Sequence, residues 1–254
     1  MSLELREVSV IRGGRKILSD VSGQVKAGQF TAFCGPNGAG KTTALTAATG
    51  SMTPERGEAF LDGDRVASAS RADLAKRRAV VSQSSVLSFP FHVHEVVAMG
   101  RAPHFGRSTE IRDSAIIEEA LAIMELSAFT NRNYLTLSGG ERKRVDIARA
   151  LAQVWDAPED GTTRWLFLDE PTSALDLKYQ ILLMERLEDL SKQGWGIVAV
   201  LHDLHLVRKY ADQVWLFKEG RLRDQGPART VLSSENVQIA YDLSAPYQFA
   251  ETGA

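Results

Sequence analysis

Phe30-Thr31-Ala32-Phe33-Cys34 runs directly into Gly35-Pro36-Asn37-Gly38-Ala39-Gly40-Lys41-Thr42-Thr43. The first five residues are apolar to neutral and read as a strand buried on both faces, the kind found in a parallel sheet. The stretch from Gly35 to Thr42 fits G-x-x-x-x-G-K-[ST], and residues 42–49 read as a helix after it. Gly38 and Gly40 let the backbone approach an anion with no Cβ in the way. The loop N–H groups and the helix N-terminus then converge on phosphates. Lys41 is expected to reach the β- and γ-phosphates, Thr42 to offer its hydroxyl to Mg²⁺, and Thr43 to donate to the α-phosphate. The competing reading is a chance match in a glycine-containing loop, and the strand before and helix after it count against that. The motif alone does not separate a kinase from a GTPase or a transport ATPase.

Outward from this loop, residues 3–11 and 17–25 alternate and read as an antiparallel pair of strands. Residues 59–61 and 79–81 read as short strands, and Ser70-Arg71-Ala72-Asp73 has the spacing of a capped helix start. From about 94 to 149 the pattern turns helical, with Ile116, Ala120, Leu121 and Met124 on one face and a second helix over 141–152. Strand and helix then alternate again: a strand over 165–168, a helix over 178–192 with Leu183, Leu187 and Leu190 on one face, and a strand over 197–201. Residues 214–218 and 221–224 predict a hairpin around Gly220, and 230–243 predicts one further helix. This alternation implies an α/β fold with a parallel-sheet core, an antiparallel β subdomain and an inserted α-helical subdomain. We read a single domain over 1–254, with its core in 1–85 and 160–254 and the helical insertion in 86–159. Asp156-Ala157-Pro158-Glu159-Asp160-Gly161 reads as a surface loop at the return to the sheet.

The chain has 254 residues, 44% apolar and 24% charged, which is ordinary globular usage. Lysine and arginine number 30 against 32 acids, a net charge of −2 that argues against a basic nucleic-acid face. Cys34 is the one cysteine, so no intrachain disulfide forms, and it reads as a buried structural thiol. No apolar run approaches the ~18 residues of a membrane span, and the N-terminus carries an early acid in place of an apolar leader. The expectation is a cytoplasmic chain that reaches a membrane only through another protein.

Two further stretches carry chemistry. Trp165-Leu166-Phe167-Leu168-Asp169-Glu170 is an apolar strand ending in two carboxylates. Successive strand side chains point apart. Asp169 can therefore serve a phosphate-bound metal while Glu170 orients and deprotonates a water. Helix capping ahead of Pro171 is the competing reading. Leu137-Ser138-Gly139-Gly140-Glu141 places two glycines before a helix and a hydroxyl donor beside them, a second anion site in a different subdomain. A plain kinase leaves it without a role.

With these residues in order, the sequence resembles the ATP-binding subunit of ABC transporters over essentially its whole length. The phosphate loop is Gly35 to Thr42, the Q-loop glutamine Gln83, and the signature Leu137 to Glu141. The acidic strand is Trp165 to Glu170, the D-loop Ser173-Ala174-Leu175-Asp176, and the switch histidine His202. The resemblance implies a P-loop NTPase fold of the RecA-like kind, and ATP with Mg²⁺ as its ligands. It implies that Gly35, Asn37, Gly38, Ala39, Gly40, Lys41, Thr42 and Thr43 hold the nucleotide, with Thr42, Gln83 and Asp169 at the metal. Glu170, His202 and Gln83 are the implied catalytic group. Two copies are expected to stack head to tail, so that Ser138, Gly139, Gly140 and Glu141 of one complete the ATP site of the other and Asp176 couples the two sites. The family usually stacks an aromatic ring on adenine just before the glycine that follows the first strand. Arg12 holds that place here, either as a guanidinium stacked on the base or as an exposed charge.

The segment Ser88-Phe89-Pro90-Phe91-His92-Val93-His94-Glu95-Val96-Val97-Ala98-Met99-Gly100-Arg101-Ala102-Pro103-His104 looks like importers of haem, corrinoids and ferric siderophores. The stretch from Trp165 to Asp176, with the acidic loop before it, looks most like the haem importers. That implies a polytopic permease dimer as partner, indirectly a periplasmic substrate-binding protein, and a place on the cytoplasmic face of the inner membrane. Phe89 and Phe91 would line a groove for a permease helix, or pack as core. His92, His94 and His104 read as a solvated loop and not as a haem site, and His205 reads as an exposed helix residue. A siderophore or corrinoid importer is the first alternative. A soluble ABC ATPase acting on nucleic acid or ribosomes is more remote, since the chain has no long heptad run.

Overall fold

A computed structural model describes residues 1–83, 87–158 and 160–249. The subdomain boundary read between 85 and 86, and Glu159 of the acidic loop, lie outside them. The chain opens with β1 (Ser2–Arg12) and β2 (Arg15–Lys26), an antiparallel pair turned by Gly13 and Gly14, both at positive φ. Next come β3 (Phe30–Cys34), α1 (Lys41–Ala48), β4 (Arg56–Leu61), β5 (Asp64–Arg65), α2 (Arg71–Arg77) and β6 (Arg78–Val81). The helical segment holds α3 (Val93–Ala98), α4 (Glu110–Ile123) and α5 (Gly139–Gln153), joined by 3₁₀ turns. The chain returns through β7 (Trp165–Asp169), α6 (Leu177–Lys192), β8 (Gly196–Val200) and α7 (Leu204–Tyr210). It ends with β9 (Gln213–Lys218), β10 (Arg221–Pro227), α8 (Ala228–Val231) and α9 (Ser234–Ala240).

Two sheets result. One has the order β2-β1-β4-β5 and is antiparallel. The other has the order β10-β9-β3-β8-β7-β6, parallel except at the β9–β10 edge. All five residues of β3, of β7 and of β8 are buried, as continuous apolar runs in a sheet covered on both faces require. Alternate side chains of β3 enter different cores. Phe30, Ala32 and Cys34 pack among the helices, while Phe33 packs toward the antiparallel sheet with Phe167, Val198 and Val200. There the Phe33 ring stacks on Trp215 at 4.9 Å. Burying rings of this size stabilises the join by about 1.5–3 kcal/mol each.

Several expectations change. The single helix read over 230–243 is two, because Ser233 leaves the helical path and caps α9 by accepting the Asn236 N–H at 3.2 Å. The signature glycines do not precede a helix. Gly139 and Gly140 form its first turn, and Ser138 is the cap. The three histidines are not a free solvated loop. His94 Nδ1 lies 3.1 Å from the Thr130 carbonyl, His104 Nε2 lies 2.7 Å from the Gln153 carbonyl, and His92 pairs with Glu95 in capping α3. The two phenylalanines divide, with Phe91 packed against the core and Phe89 69% exposed. Ser70 caps α2 as its spacing predicts.

Candidate nucleotide-binding site

The site forms at the carboxyl ends of β3, β8, β7 and β6, neighbours in that order, so loops far apart in sequence meet at one end of the sheet. Gly35 leaves β3 at φ 140°, and a Cβ there would lie 2.2 Å from the Phe217 carbonyl oxygen of β9. Gly40 stands at φ 98° as the first cap of α1, and a Cβ there would lie 2.6 Å from Leu18. Both positions therefore require glycine. Gly38 has φ 76° with open space around it, and Asn37 beside it is exposed while Ala39 is buried.

Lys41 is 5% exposed and turns back over its own loop, donating to the carbonyls of Gly35 at 2.7 Å and Pro36 at 2.8 Å. Burial pulls its pKa below the ordinary lysine value, and the nearby Asp169 and Glu170 charges act the other way. Thr42 donates its hydroxyl to Asp169 Oδ1 at 2.9 Å, and Thr43 is half-buried beside it. Asp169, 5% exposed, has its carboxyl raised above the ordinary aspartate value, first by burial. The Thr42 hydrogen bond opposes that shift, and the Glu170 charge adds to it. A threonine hydroxyl and a carboxylate are hard oxygen donors, which suit Mg²⁺ with waters and phosphate oxygens completing its shell.

Glu170 stands just past β7 at φ 46°. One carboxylate oxygen lies 2.7 Å from His202 Nε2, and the other accepts from Gln83 Nε2 at 2.8 Å. Gln83, Glu170 and His202, from three separate loops, thus close into one chain beside the Thr42–Asp169 pair.

Ser138 and Glu141 form a separate capping box on α5. Ser138 N–H donates to Glu141 Oε2 at 2.7 Å, and Glu141 N–H donates to Ser138 Oγ at 3.3 Å. Gly140 lets this helix approach the D-loop, since a Cβ there would lie 2.8 Å from the Ala174 carbonyl oxygen. Asp176 caps α6 by accepting the Tyr179 N–H at 3.1 Å. Among the described residues no hydrogen bond links Ser138, Gly139, Gly140 or Glu141 to the phosphate loop of the same chain. Arg12 is exposed and donates to Met52 Sδ at 3.2 Å. Cys34 is buried under the loop, its thiol pushed up to about 12 by burial.

Sequence reasoning missed Tyr241. Its hydroxyl accepts the Gly35 N–H at 3.1 Å, which satisfies the first amide of the phosphate loop from the far end of the chain. A tyrosine 206 positions away carries no local signal for this contact.

A β-α phosphate loop, an acidic strand end and a glutamate held between a glutamine and a histidine define a P-loop nucleotide-hydrolysing domain. The chain belongs to the ABC transporter family, whose model matches residues 18–173. It is 43% identical to the hemin import ATP-binding protein HmuV of Mesorhizobium japonicum, over 94% of this chain and 91% of that protein. It is 39% identical to the HmuV of Rhizobium meliloti, over 92% and 89%. Among solved structures it superposes on a chain described as an inward-facing metal-chelate type ABC transporter, with TM-score 0.80, 26% identity and coverage of 99% and 94%. The dimeric ATP-binding cassette MJ0796 with ADP and Pi bound superposes at TM-score 0.77 and 26% identity, covering 89% of this chain and 99% of that one. The chain is an ABC-type ATPase with a P-loop NTPase fold. Among the described residues no helix is long and apolar enough to cross a membrane.

Proposed function

We propose that this chain hydrolyses ATP to drive a haem importer, working as a head-to-tail homodimer docked on a permease dimer. The observation that carries hydrolysis is Glu170, with both carboxylate oxygens engaged, by His202 and by Gln83. The haem assignment rests on the likeness to the hemin import proteins over nearly the whole chain.

In this reading, Gly35, Asn37, Gly38, Ala39 and Gly40 present backbone to the phosphates, with Thr43 at the α-phosphate. Lys41 exchanges two loop carbonyls for β- and γ-phosphate oxygens. Thr42 and Asp169 would hold Mg²⁺, with Gln83 reaching toward it; when bound, the ion offsets phosphate charge. Glu170 takes a proton from the attacking water after releasing Gln83 from one oxygen. His202 keeps the other oxygen fixed and reaches the γ-phosphate. Ser138, Gly139, Gly140 and Glu141 act on the partner copy's nucleotide, which fits their separation from the phosphate loop of their own chain. Asp176 relays between the sites through the D-loop that Gly140 touches. Arg12, exposed beside Met52, is free to swing over adenine.

Exposed Phe89, 6.2 Å from the ring of packed Phe91, offers the permease an apolar contact. Docking there would place the chain on the cytoplasmic face of the inner membrane, with a periplasmic binding protein as an indirect partner.

Glu170→Gln keeps the side chain's size, but it replaces one acceptor oxygen by an NH₂ donor and cannot accept the proton. Turnover should fall by about 10²–10⁴, with ATP binding retained and a dimer trapped. Turnover at the wild-type rate removes Glu170 from the base role. Deleting the gene and assaying growth on haem, on a ferric siderophore and on a corrinoid tests the substrate; loss confined to either of the last two refutes haem.

A further inference from the structure

Lys143 stands on α5, five residues after the Ser138 cap, and is 6% exposed. A buried ammonium is costly unless its donors are used. Its Nζ donates to the carbonyl of Ser82 at 2.9 Å and to the carbonyl of Asp169 at 3.4 Å. Those two carbonyls belong to the peptide units that lead directly into Gln83 and Glu170. The side chains of Gln83 and Glu170 in turn meet at 2.8 Å. One cation on the signature helix therefore closes a ring through the end of β6, the two side chains and the end of β7. Burial draws the ammonium's pKa down, while the charges of Asp146, Asp169 and Glu170 favour its protonated form.

We propose that Lys143 is a positioning residue for hydrolysis, holding the Gln83 and Glu170 backbones in register with the signature helix. A shift of α5 moves both carbonyls together, and with them the two groups that flank the attacking water. A misplacement of about 1 Å at reacting groups can cost about 10²-fold in rate. Among the described residues the phosphate loop makes no hydrogen bond to Lys143, so ATP binding is left to Lys41 and the loop amides. The proposal rests on the roles given to Gln83 and Glu170 above.

The test uses the full chain. Lys143→Met keeps the apolar stem and removes all three donors, and Lys143→Arg keeps charge and donors. The expected result is a kcat lowered by about tenfold or more in the Met variant with KM for ATP within about threefold, and recovery of most of the loss in the Arg variant. Melting temperature is read alongside, with assays run below every variant's transition. If the Met variant does not fold, Lys143→Gln, a shorter side chain with a single amide, should show the same fall in kcat at unchanged KM. Unchanged kcat in a folded neutral variant overturns the proposal. So does a loss of kcat that comes with an equal loss of ATP affinity. Glu170→Gln run in parallel separates the premises: wild-type turnover there sinks the reading of the base, whatever Lys143 does.

Discussion

Gly35 and Gly38 belong to one motif, yet the structure separates what each glycine is for. Alanine at Gly35 meets two penalties. Its φ of 140° is a region L-residues rarely enter, costing about 1–3 kcal/mol. Its Cβ would also lie 2.2 Å from the Phe217 carbonyl oxygen and 3.0 Å from the carbon. A contact that short must open by about 1 Å, and the atoms in the way are β9 backbone. Displacing packed structure on that scale costs about 1–3 kcal/mol more. The sum, about 2–6 kcal/mol, takes a large part of the 5–15 kcal/mol that keeps a domain folded. At roughly 2–4 °C per kcal/mol it lowers Tm by about 4–24 °C. Alanine at Gly38 meets only the cost of positive φ, about 1–2 kcal/mol, since nothing lies within 4 Å. Its Cβ stands instead where a phosphate would approach. Gly38→Ala should melt within a few degrees of wild type and bind ATP weakly. Thermal unfolding followed by circular dichroism, with nucleotide affinity by titration calorimetry, reads both effects. A Gly35→Ala protein melting with wild type refutes the reasoning, as does a Gly38→Ala protein less stable than the Gly35→Ala protein.

Tyr241→Phe leaves the Gly35 N–H without its acceptor, so stability should fall by about 1–3 kcal/mol and ATP affinity should drop with it; unchanged affinity and melting would show that water replaces the hydroxyl at no cost. The Asp169 carboxyl is raised by burial, so it protonates at a higher pH than a free aspartate and then ceases to hold a cation. Mg²⁺-dependent ATP affinity should therefore be full at neutral pH and fall on acidification before a free aspartate would titrate, whereas Asp169→Asn should be weak and flat; parallel profiles would exclude Asp169. The sign for stability is opposite: a raised folded pKa favours the fold below it, and that contribution is lost as pH rises through it.

Much of this was legible because the signals are local. The run from Phe30 to Thr42 carries its own strand, turn and helix start, and the glycine spacing follows from phosphate geometry. Trp165 to Glu170 is similar, a buried strand whose apolar run stops at two acids. Where the reading slipped, neighbours decided. Residues 230–243 have helical composition, but Ser233 finds a better use as a cap than as a helix interior, as serine tends to. His94 and His104 look solvent-bound in sequence, yet each meets a carbonyl supplied by another element.

The sequence by itself determined the phosphate loop, the acidic strand end and the class of chemistry, since each lies within a dozen contiguous residues whose backbone demands are local. Only the tertiary structure decided that Gln83, Glu170 and His202 share one carboxylate. It likewise decided that Tyr241 satisfies the loop's first amide, that Lys143 ties the signature helix to the catalytic strands, and that Ser138 stands apart from its own chain's phosphate loop. Those contacts join residues up to 206 positions apart, and the parallel sheet gathers the catalytic ones by ending β3, β8, β7 and β6 on one side.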